Sequence, residues 1–254
     1  MNGRIQVLGL GPGTTDWLAP AVHTALLQAD VILGYHKYLQ QIAAVSPQTP
    51  REGSGMRHEV ERAQHAIKLA QQSKTVALVS GGDAGVYGMA GLVLELLAHQ
   101  AITSIQVEVL PGITALNAAA ALLGAPLMTD FAAISLSDYL IPLETILARL
   151  QAAIQGDFVI GLYNPLSHQR REPFERACSL LLNALEEDRP VGIVRAAFRP
   201  EQEVYSIPLK ELPVQQIGMD CIVIIGNRTT CILNGKMVTP RGYSLDRPPA
   251  QGPG

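Results

Sequence analysis

Residues 79–89 read VSGGDAGVYGM, a stretch that puts glycines and one carboxylate directly behind an apolar strand. The strand is indicated by Val76, Ala77 and Leu78, and a second apolar run, residues 88–98, begins immediately after the loop. Glycine at the end of a buried strand permits a positive φ and allows a close approach to the backbone. The stretch therefore predicts a buried strand that ends in a loop suited to a ligand.

The same arrangement recurs at four other predicted strand ends. These are Gly9–Gly13 (GLGPG), Pro111–Ala115 (PGITA), Asn164–Pro165 and Gly226–Arg228. In open α/β sheets, ligands bind outside the carboxyl ends of the strands, where such loops converge. Glycine also simply terminates strands, so any single loop leaves both interpretations open. Several such loops in one chain favour a ligand cleft.

Strand-like and helix-like segments alternate along most of the chain, which predicts an α/β fold with a mainly parallel sheet. After about residue 190, strands follow one another without long helices, and antiparallel pairing is expected there. The predicted strands are 4–10, 30–33, 75–79, 105–110, 132–136, 158–162, 191–194, 203–207 and 221–225. The predicted helices are 17–29, capped by Thr14 or Thr15, and 59–70, with Val60, Ala63, Ile67 and Ala70 on its buried face.

A domain boundary is expected near the alanine-rich segment 116–123, because the following residues 124–126 (GAP) are typical of a connection. The sequence thus predicts two α/β domains, residues 1–118 with a mainly parallel sheet and residues 119–243 with a mixed sheet. Residues 244–254 form a Pro/Gly-rich tail that is expected to be disordered.

Composition limits the function classes that remain. Of the 254 residues 48% are apolar and 16% are charged, so a large core is expected, and the net charge of −3 argues against a nucleic-acid binder. The start of the chain reads as a strand and no apolar run suits a membrane helix, so a cytoplasmic protein without membrane contact is expected. Cys178, Cys221 and Cys231 are expected to be buried, reduced thiols, with neither a metal site nor a disulfide framework.

Common phosphate-binding motifs do not account for the loops. The first loop departs from the dinucleotide fingerprint because Thr14 replaces the third glycine, Pro12 lacks an amide, and Asp30 precedes the second strand. The chain contains neither the Gly-Lys-Ser/Thr of a Walker loop nor an HExxH motif. A small ligand without a pyrophosphate is the better fit.

In order and spacing, the segments 9–13, 81–83 and 111–115 resemble the tetrapyrrole methylases. These are S-adenosylmethionine-dependent methyltransferases that modify uroporphyrinogen and corrin precursors, and the resemblance covers roughly residues 4–241. Within the family, residues 80–95, 157–170 and 238–243 are most similar to the branch that methylates C17 of precorrin-3B and contracts the macrocycle.

The resemblance implies two α/β domains with the cofactor cleft between them, a homodimer, and S-adenosylmethionine as cofactor, with S-adenosylhomocysteine as its product. The implied substrate is a tetrapyrrole. The implied cofactor-binding residues are Pro12, Gly81, Gly82, Asp83, Val86, Thr114, Ala115, Asn164 and Ala197. For Asp83 two roles stay open, a contact with the cofactor or a turn closed by hydrogen bonds from its own backbone amides.

Catalytic residues are not identified by the sequence. Methyl transfer needs mainly positioning, whereas ring contraction moves protons and requires an acid or base. The candidates, unranked, are His58, Tyr87, Ser137, Asp138 and Tyr139. Arginines suited to the substrate's carboxylates are Arg51 and Arg57, which flank a Gly/Ser-rich segment expected to be a mobile lid, and Arg170, Arg171, Arg195 and Arg199.

Two alternatives remain. The same fold and cofactor could serve another acceptor: a different precorrin position, a cobalt-containing intermediate, a diphthamide precursor or ribosomal RNA. The negative charge counts against RNA, and the segments 163–165 (YNP) and 239–243 (TPRGY) count against the protein acceptor. The chain could also be a non-enzymatic protein that binds the cofactor or a tetrapyrrole.

Overall fold

A computed structural model describes residues 3–166, 170–214 and 217–243. Within these ranges the chain forms two compact units. The first comprises the residues up to Ala118 together with Ala196–Glu201, and the second comprises Ala119–Arg195 and the residues from Gln202 onward. The tail predicted for residues 244–254 lies outside the described residues.

The first unit contains a five-stranded sheet in which every strand pair is parallel, as the sequence predicts. Its strands lie in the order β3-β2-β4-β1-β5. They are β1 (Arg4–Gly9), β2 (Val31–Tyr35), β3 (Arg51–Ser54), β4 (Thr75–Ser80) and β5 (Gln106–Leu110). Because all strands run in one direction, their carboxyl ends lie along one edge of the sheet.

Helices cover both faces of this sheet. Successive side chains of a strand point to opposite faces, and because β1 is apolar on both, each face has to be covered. The helices are α1 (Pro20–Gln28), α2 (His36–Gln41), α3 (Glu59–Gln71) and α4 (Ala90–His99). The next helix, α5 (Ala115–Leu123), begins in the first unit and continues into the second. Ile5 and Val7 pack with residues of α3 and α4, whereas Leu8 packs with residues of α1 and α2. All three β1 side chains are completely buried.

The second unit contains a mixed five-stranded sheet in the order β10-β9-β11-β8-β7, in which only β7 and β8 are parallel. A smaller sheet has the order β12-β13-β6. The elements are β6 (Gly124–Ala125), β7 (Phe131–Ser135), α6 (Leu143–Gln155), β8 (Val159–Tyr163), α7 (Glu172–Ala184), β9 (Pro190–Arg195), β10 (Glu203–Pro208), β11 (Cys221–Ile225), β12 (Cys231–Leu233) and β13 (Lys236–Val238). The predicted change to antiparallel strands near residue 190 is confirmed.

The predicted cap of the first helix is wrong. Residues Thr15–Trp17 form a separate 3₁₀ turn, and α1 begins only at Pro20. Proline at the first helical position loses no hydrogen bond, and it keeps the preceding Ala19 extended, with ψ 139°.

Two details of the segment 51–70 also differ from the prediction. The expected mobile lid begins as a regular strand, because residues 51–54 pair in parallel with β2. Val60 is 50% exposed, whereas Arg62 lies in the buried face of α3, only 7% exposed. The prediction that Val60 lies on the buried face of α3 is therefore wrong, and that face instead includes the cation of Arg62.

Within the described part of the chain, the helices reach at most 13 residues, and none has the length and apolar character that crossing a membrane requires. All three cysteines are free thiols. Cys178 and Cys221 are buried as predicted, whereas Cys231 is half-buried, so the prediction of burial is wrong for Cys231. Burial raises the pKa of Cys178 to about 12 and, to a smaller extent, raises that of Cys221.

Alkylation should therefore modify Cys231 first. The thiolate is the reactive species, and in Cys178 and Cys221 both burial and a raised pKa suppress it. Iodoacetamide labelling at pH 8, followed by peptide mass spectrometry, should show Cys231 modified in the native protein and the other two only after denaturation. Equal labelling rates in the native protein would contradict this burial pattern.

Candidate functional site

Three loops of the first unit meet where β1, β4 and β5 end, and we refer to residues 9–13, 81–86 and 111–115 as the strand-end loops. Gly11 and Gly82 exchange two backbone hydrogen bonds, each with an N···O distance of 2.9 Å. The prediction that these loops lie together is confirmed, because β1 lies between β4 and β5 in the sheet.

Two glycines are required because the loop backbones touch. A Cβ atom on Gly112 would lie 2.2 Å from the carbonyl oxygen of Gly82, and one on Gly9 would lie 2.5 Å from the amide nitrogen of Gly112. Both contacts are with backbone, so neither can be relieved by a side-chain movement. Gly82 is constrained differently, since it has space around it but adopts φ +67°.

The carboxylate of Asp83 connects two of the loops. Its Oδ1 accepts hydrogen bonds from the backbone amides of Gly85 (2.7 Å) and Val86 (3.0 Å), so the turn interpretation is confirmed. Its Oδ2 accepts a hydrogen bond from the amide of Gly112, at 3.0 Å. A cofactor contact of Asp83 stays a prediction, and such a contact would be additional to this structural role.

Helix α5 begins directly at the strand-end loops. The Thr114 hydroxyl caps it by accepting a hydrogen bond from the amide of Asn117 at 3.1 Å. The amide nitrogen of Ala115 lies 3.6 Å from the position of a Gly82 Cβ. Amides at a helix N-terminus carry partial positive charge, so this edge suits a ligand with polar or anionic groups.

Side chains that the sequence did not single out pack around the loops. The Tyr38 ring occupies the space beside Gly81, where an added Cβ would lie 2.6 Å from a ring carbon. Packing thus accounts for Gly81 without a ligand. A sequence signal existed, because aromatic residues make up only 5% of the chain, yet Tyr35 and Tyr38 both follow shortly after a predicted strand. In the structure their rings form a T-shaped contact, with centroids 5.4 Å apart.

The segment containing Ala197 packs with the first unit although it follows β9. Phe198 packs against Trp17 with ring centroids 4.2 Å apart, and the Nε of Arg199 donates a hydrogen bond to the carbonyl oxygen of Pro12 at 3.1 Å. The structure thereby brings Pro12 and Ala197 into one neighbourhood. Sequence spacing gave no indication of this, since the two residues are far apart in the chain.

Val86, at the end of the second strand-end loop, and the following residue Tyr87 are both exposed. Val86 is 39% exposed and Tyr87 is 55% exposed, with φ +53° at Tyr87. A positive φ at an aromatic residue is costly and persists only where surrounding contacts impose it. These two residues offer apolar surface beside the glycines.

Asn164, the remaining predicted cofactor ligand, belongs to the second unit. It follows β8 with φ +50° and donates a hydrogen bond from Nδ2 to the Ser135 hydroxyl at the end of β7, at 3.0 Å. A cavity of about 30 Å³ lies beside it, lined by Leu136, Ser137, Asp138, Asn164, Pro165, Arg170, Pro173 and Met219. Two acid–base candidates, Ser137 and Asp138, thus lie together.

The other acid–base candidates are more exposed. His58 contacts Glu61 at 2.7 Å, with half of its side chain accessible, and Tyr139 is 57% exposed. Asp138 forms an ion pair with Arg170, so it is the candidate whose orientation is best defined.

Most of the candidate arginines are already paired with protein groups. Arg171 pairs with Glu175, while Arg195 pairs with Glu203 and Asp220. Arg51 donates a hydrogen bond to the carbonyl oxygen of Ala43 at 3.0 Å, so it fixes the segment that precedes β3. Arg57 is exposed at φ +67°.

A two-unit α/β fold with glycine-rich loops at the strand ends is typical of a ligand-binding enzyme, and comparison with protein families independently identifies the family. Residues 4–213 match the profile of the Tetrapyrrole (Corrin/Porphyrin) Methylases, and the chain belongs to this family. The predicted fold class and family are confirmed.

Individual relatives indicate to which members of the family the chain is similar. The chain is 44% identical over 241 residues to a probable cobalt-factor III C(17)-methyltransferase of Salmonella typhimurium, covering 95% of this chain and all of that protein. It is 39% identical over 251 residues to a precorrin-3B C(17)-methyltransferase of a Sinorhizobium species, covering 96% and 98%. A cobalt-factor III methyltransferase of Priestia megaterium is 44% identical over 96% of this chain, which spans only 46% of that protein.

Solved structures agree with this assignment. The crystal structure of the methyltransferase CobJ superposes with a TM-score of 0.89 at 38% identity, covering 94% of this chain and all of that one. A uroporphyrin-III C-methyltransferase from Thermus thermophilus, complexed with S-adenosylhomocysteine, shares the fold with a TM-score of 0.71 at 22% identity over 88% of this chain and 97% of that one.

Replacing Asp83 with alanine should destabilise the strand-end loops as well as affect any ligand. Three backbone amides lose their acceptor, which should lower the free energy of unfolding by about 1–3 kcal/mol. Hydrogen exchange at Gly112 should accelerate. The control is Asp83→Asn, which keeps one acceptor oxygen and should show a smaller change. Unchanged exchange at Gly112 in the alanine variant would disprove the bridging role.

Two glycine-to-alanine substitutions should have opposite effects. Gly112→Ala should lower the free energy of unfolding by about 2 kcal/mol or more, because the methyl group meets the Gly82 carbonyl oxygen. Gly91→Ala in α4 is the matched control. A Cβ there meets nothing within 4 Å, and alanine should stabilise the helix by up to about 1 kcal/mol. Urea denaturation measures both, and equal effects would contradict the backbone-contact argument.

Proposed function

We propose that this chain methylates C17 of a corrin precursor, precorrin-3B or its cobalt-containing counterpart, and contracts the macrocycle in cobalamin biosynthesis. The chain is a methyltransferase of the tetrapyrrole methylase family. The observation that carries the finer proposal is similarity over nearly the whole chain to relatives named for C17 methylation. The similarity of its structure to CobJ is consistent with that proposal.

The strand-end loops fit S-adenosylmethionine as cofactor. The cofactor combines a sulfonium cation, an amino-acid carboxylate and a nucleoside, and it supplies an electrophilic methyl group when bound. Asp83 offers negative charge, the N-terminus of α5 offers amides, and Val86 offers exposed apolar surface. We propose Pro12, Gly81, Gly82, Asp83, Val86, Thr114, Ala115, Asn164 and Ala197 as the cofactor-binding residues.

Positioning is the main contribution that these residues make to methyl transfer. An electron-rich tetrapyrrole carries its own carbon nucleophile, and aligning it with the methyl group can supply several kcal/mol of the barrier, about 7–11 in favourable cases. Loops that are tied together by Gly11–Gly82 hydrogen bonds and by Asp83 suit such alignment, because they resist displacement.

For the ring contraction we propose Asp138 as the acid or base. It lies in the cavity with Ser137 and Asn164, and its ion pair with Arg170 holds the carboxylate in place. A carboxylate that is held by a guanidinium within hydrogen-bonding distance is oriented to accept or return a proton.

Several accompanying features are also proposals. We propose that the protein is a cytoplasmic homodimer and that its two domains are residues 1–118, to which residues 196–201 also belong, and the remainder of 119–243. The family resemblance supports the dimer, and three free cysteines are consistent with a reducing compartment. Sedimentation of the purified protein measures the oligomeric state.

A single labelling experiment tests the proposed function. Purified protein is incubated with S-adenosylmethionine carrying a ¹³C-methyl group and with the trimethylated precursor, in metal-free and in cobalt-containing form. We expect NMR to locate the label at C17, with C20 expelled from the ring. Label at another carbon would assign a different acceptor position, and label at C17 without loss of C20 would exclude the contraction.

A further inference from the structure

Arg62 is a buried cation that forms no ion pair with a carboxylate of the described residues. It is 7% exposed, and none of the ion pairs formed by the described residues includes it. Its Nε donates to the Ser54 hydroxyl and one Nη donates to the Gly55 carbonyl oxygen, each at 2.8 Å. The other Nη reaches only the sulfur of Met89, at 3.9 Å. Part of the donor capacity of the guanidinium is therefore unused by the protein.

These contacts do not explain why the residue is charged. A neutral amide could tie the end of β3 to Met89, whereas burying a guanidinium without an anion is expensive. Burial lowers the pKa of Arg62 more than the nearby Glu59 and Tyr38 raise it. The sequence held one signal, since Arg62 lies in line with Ala66 and Leu69 on the apolar face of α3.

A second cation and a hydroxyl lie at the same edge of the first unit. Arg199 extends over Gly13, where an added Cβ would lie 2.6 Å from its Cγ, and among the described residues its side chain donates a hydrogen bond only to the carbonyl oxygen of Pro12. The Tyr38 hydroxyl has no hydrogen-bond partner in the described part of the chain and lies 2.9 Å from the position of a Gly81 Cβ. Burial raises the pKa of Tyr38, and the charges of Arg199 and Arg62 oppose that rise.

We propose that Arg62, Arg199 and Tyr38 form a carboxylate receptor at the carboxyl ends of β2, β3 and β4. Two guanidinium groups and a phenol provide charge-assisted hydrogen bonds to one carboxylate, and that anion compensates the burial of Arg62. The receptor is adjacent to the strand-end loops, because Tyr38 packs on Gly81 and Arg199 bonds Pro12.

The proposal rests on the proposed function, which offers two sources of the carboxylate. One is an acetate or propionate side chain of the tetrapyrrole, and the other is the amino-acid carboxylate of the cofactor. Both present the same chemistry to the receptor, so the experiment has one arm for each.

The test measures two dissociation constants in Arg62→Gln, Arg62→Lys and Tyr38→Phe. S-adenosylhomocysteine is titrated by calorimetry, and uroporphyrin III, a carboxylate-rich tetrapyrrole, is titrated by absorbance, each at low and high NaCl. The matched control is Arg149→Gln, which removes the same charge from an exposed position of α6. Thermal melting of each variant shows whether it is folded.

In Arg62→Gln the affinity for one ligand should fall by about tenfold to a hundredfold, because a charge-assisted hydrogen bond is lost. Its dependence on NaCl should also weaken, since one charge pair is gone. Arg62→Lys should recover part of the affinity, Tyr38→Phe should lose about threefold to tenfold, and the control should match the wild type. The ligand affected identifies the source of the carboxylate.

Two results would reject the receptor alone, while the wild type binds both ligands. One is an unchanged affinity for both ligands in Arg62→Gln, and the other is a loss of affinity with the NaCl dependence of the wild type, which indicates a structural tie. A wild-type protein that binds neither ligand would contradict the proposed function and the receptor together.

Discussion

The contact between backbones at the ends of β1, β4 and β5 is the constraint on which the candidate site depends. Gly9, Gly82 and Gly112 come so close that a side chain on Gly9 or Gly112 would overlap the neighbouring main chain. The two carboxylate oxygens of Asp83 accept hydrogen bonds from three backbone amides of these loops. The result is a surface built largely of main chain, whose shape depends on the absence of side chains and on one carboxylate.

The distribution of charge in the first unit is not evident from the composition of the chain. The chain as a whole is acidic, with a net charge of −3, yet Arg199 beside Pro12 and Arg62 beside Ser54 and Gly55 have no carboxylate partners in the described ranges. In contrast, Arg170, Arg171 and Arg195 are paired with acidic side chains. Local pairing, and not the total charge, therefore decides which arginines are available to an anionic ligand.

The sequence predicted the strands well, because buried parallel strands are short apolar runs bounded by glycine. β11 lies at the predicted residues, and most other boundaries differ by one residue or two. It failed where a local signal had two interpretations. A threonine after a glycine loop looks like a helix cap, but Pro20 sets the true start of α1, and the Gly/Ser-rich segment at Arg51 begins as a strand because β2 pairs with it.

By itself the sequence determined the positions of nine strands, the glycine-bearing loops and the family, because these depend on residue types and spacings along the chain, but it did not predict the short strands β3, β6, β12 and β13. Only the tertiary structure showed which contacts the individual side chains make. In the structure, Asp83 connects two loops by hydrogen bonds, and Gly81 leaves the space that the ring of Tyr38 occupies. The segment that contains Ala197 lies beside the loop of Pro12. Such roles depend on contacts between residues distant in the chain, which a single sequence does not encode as a local pattern.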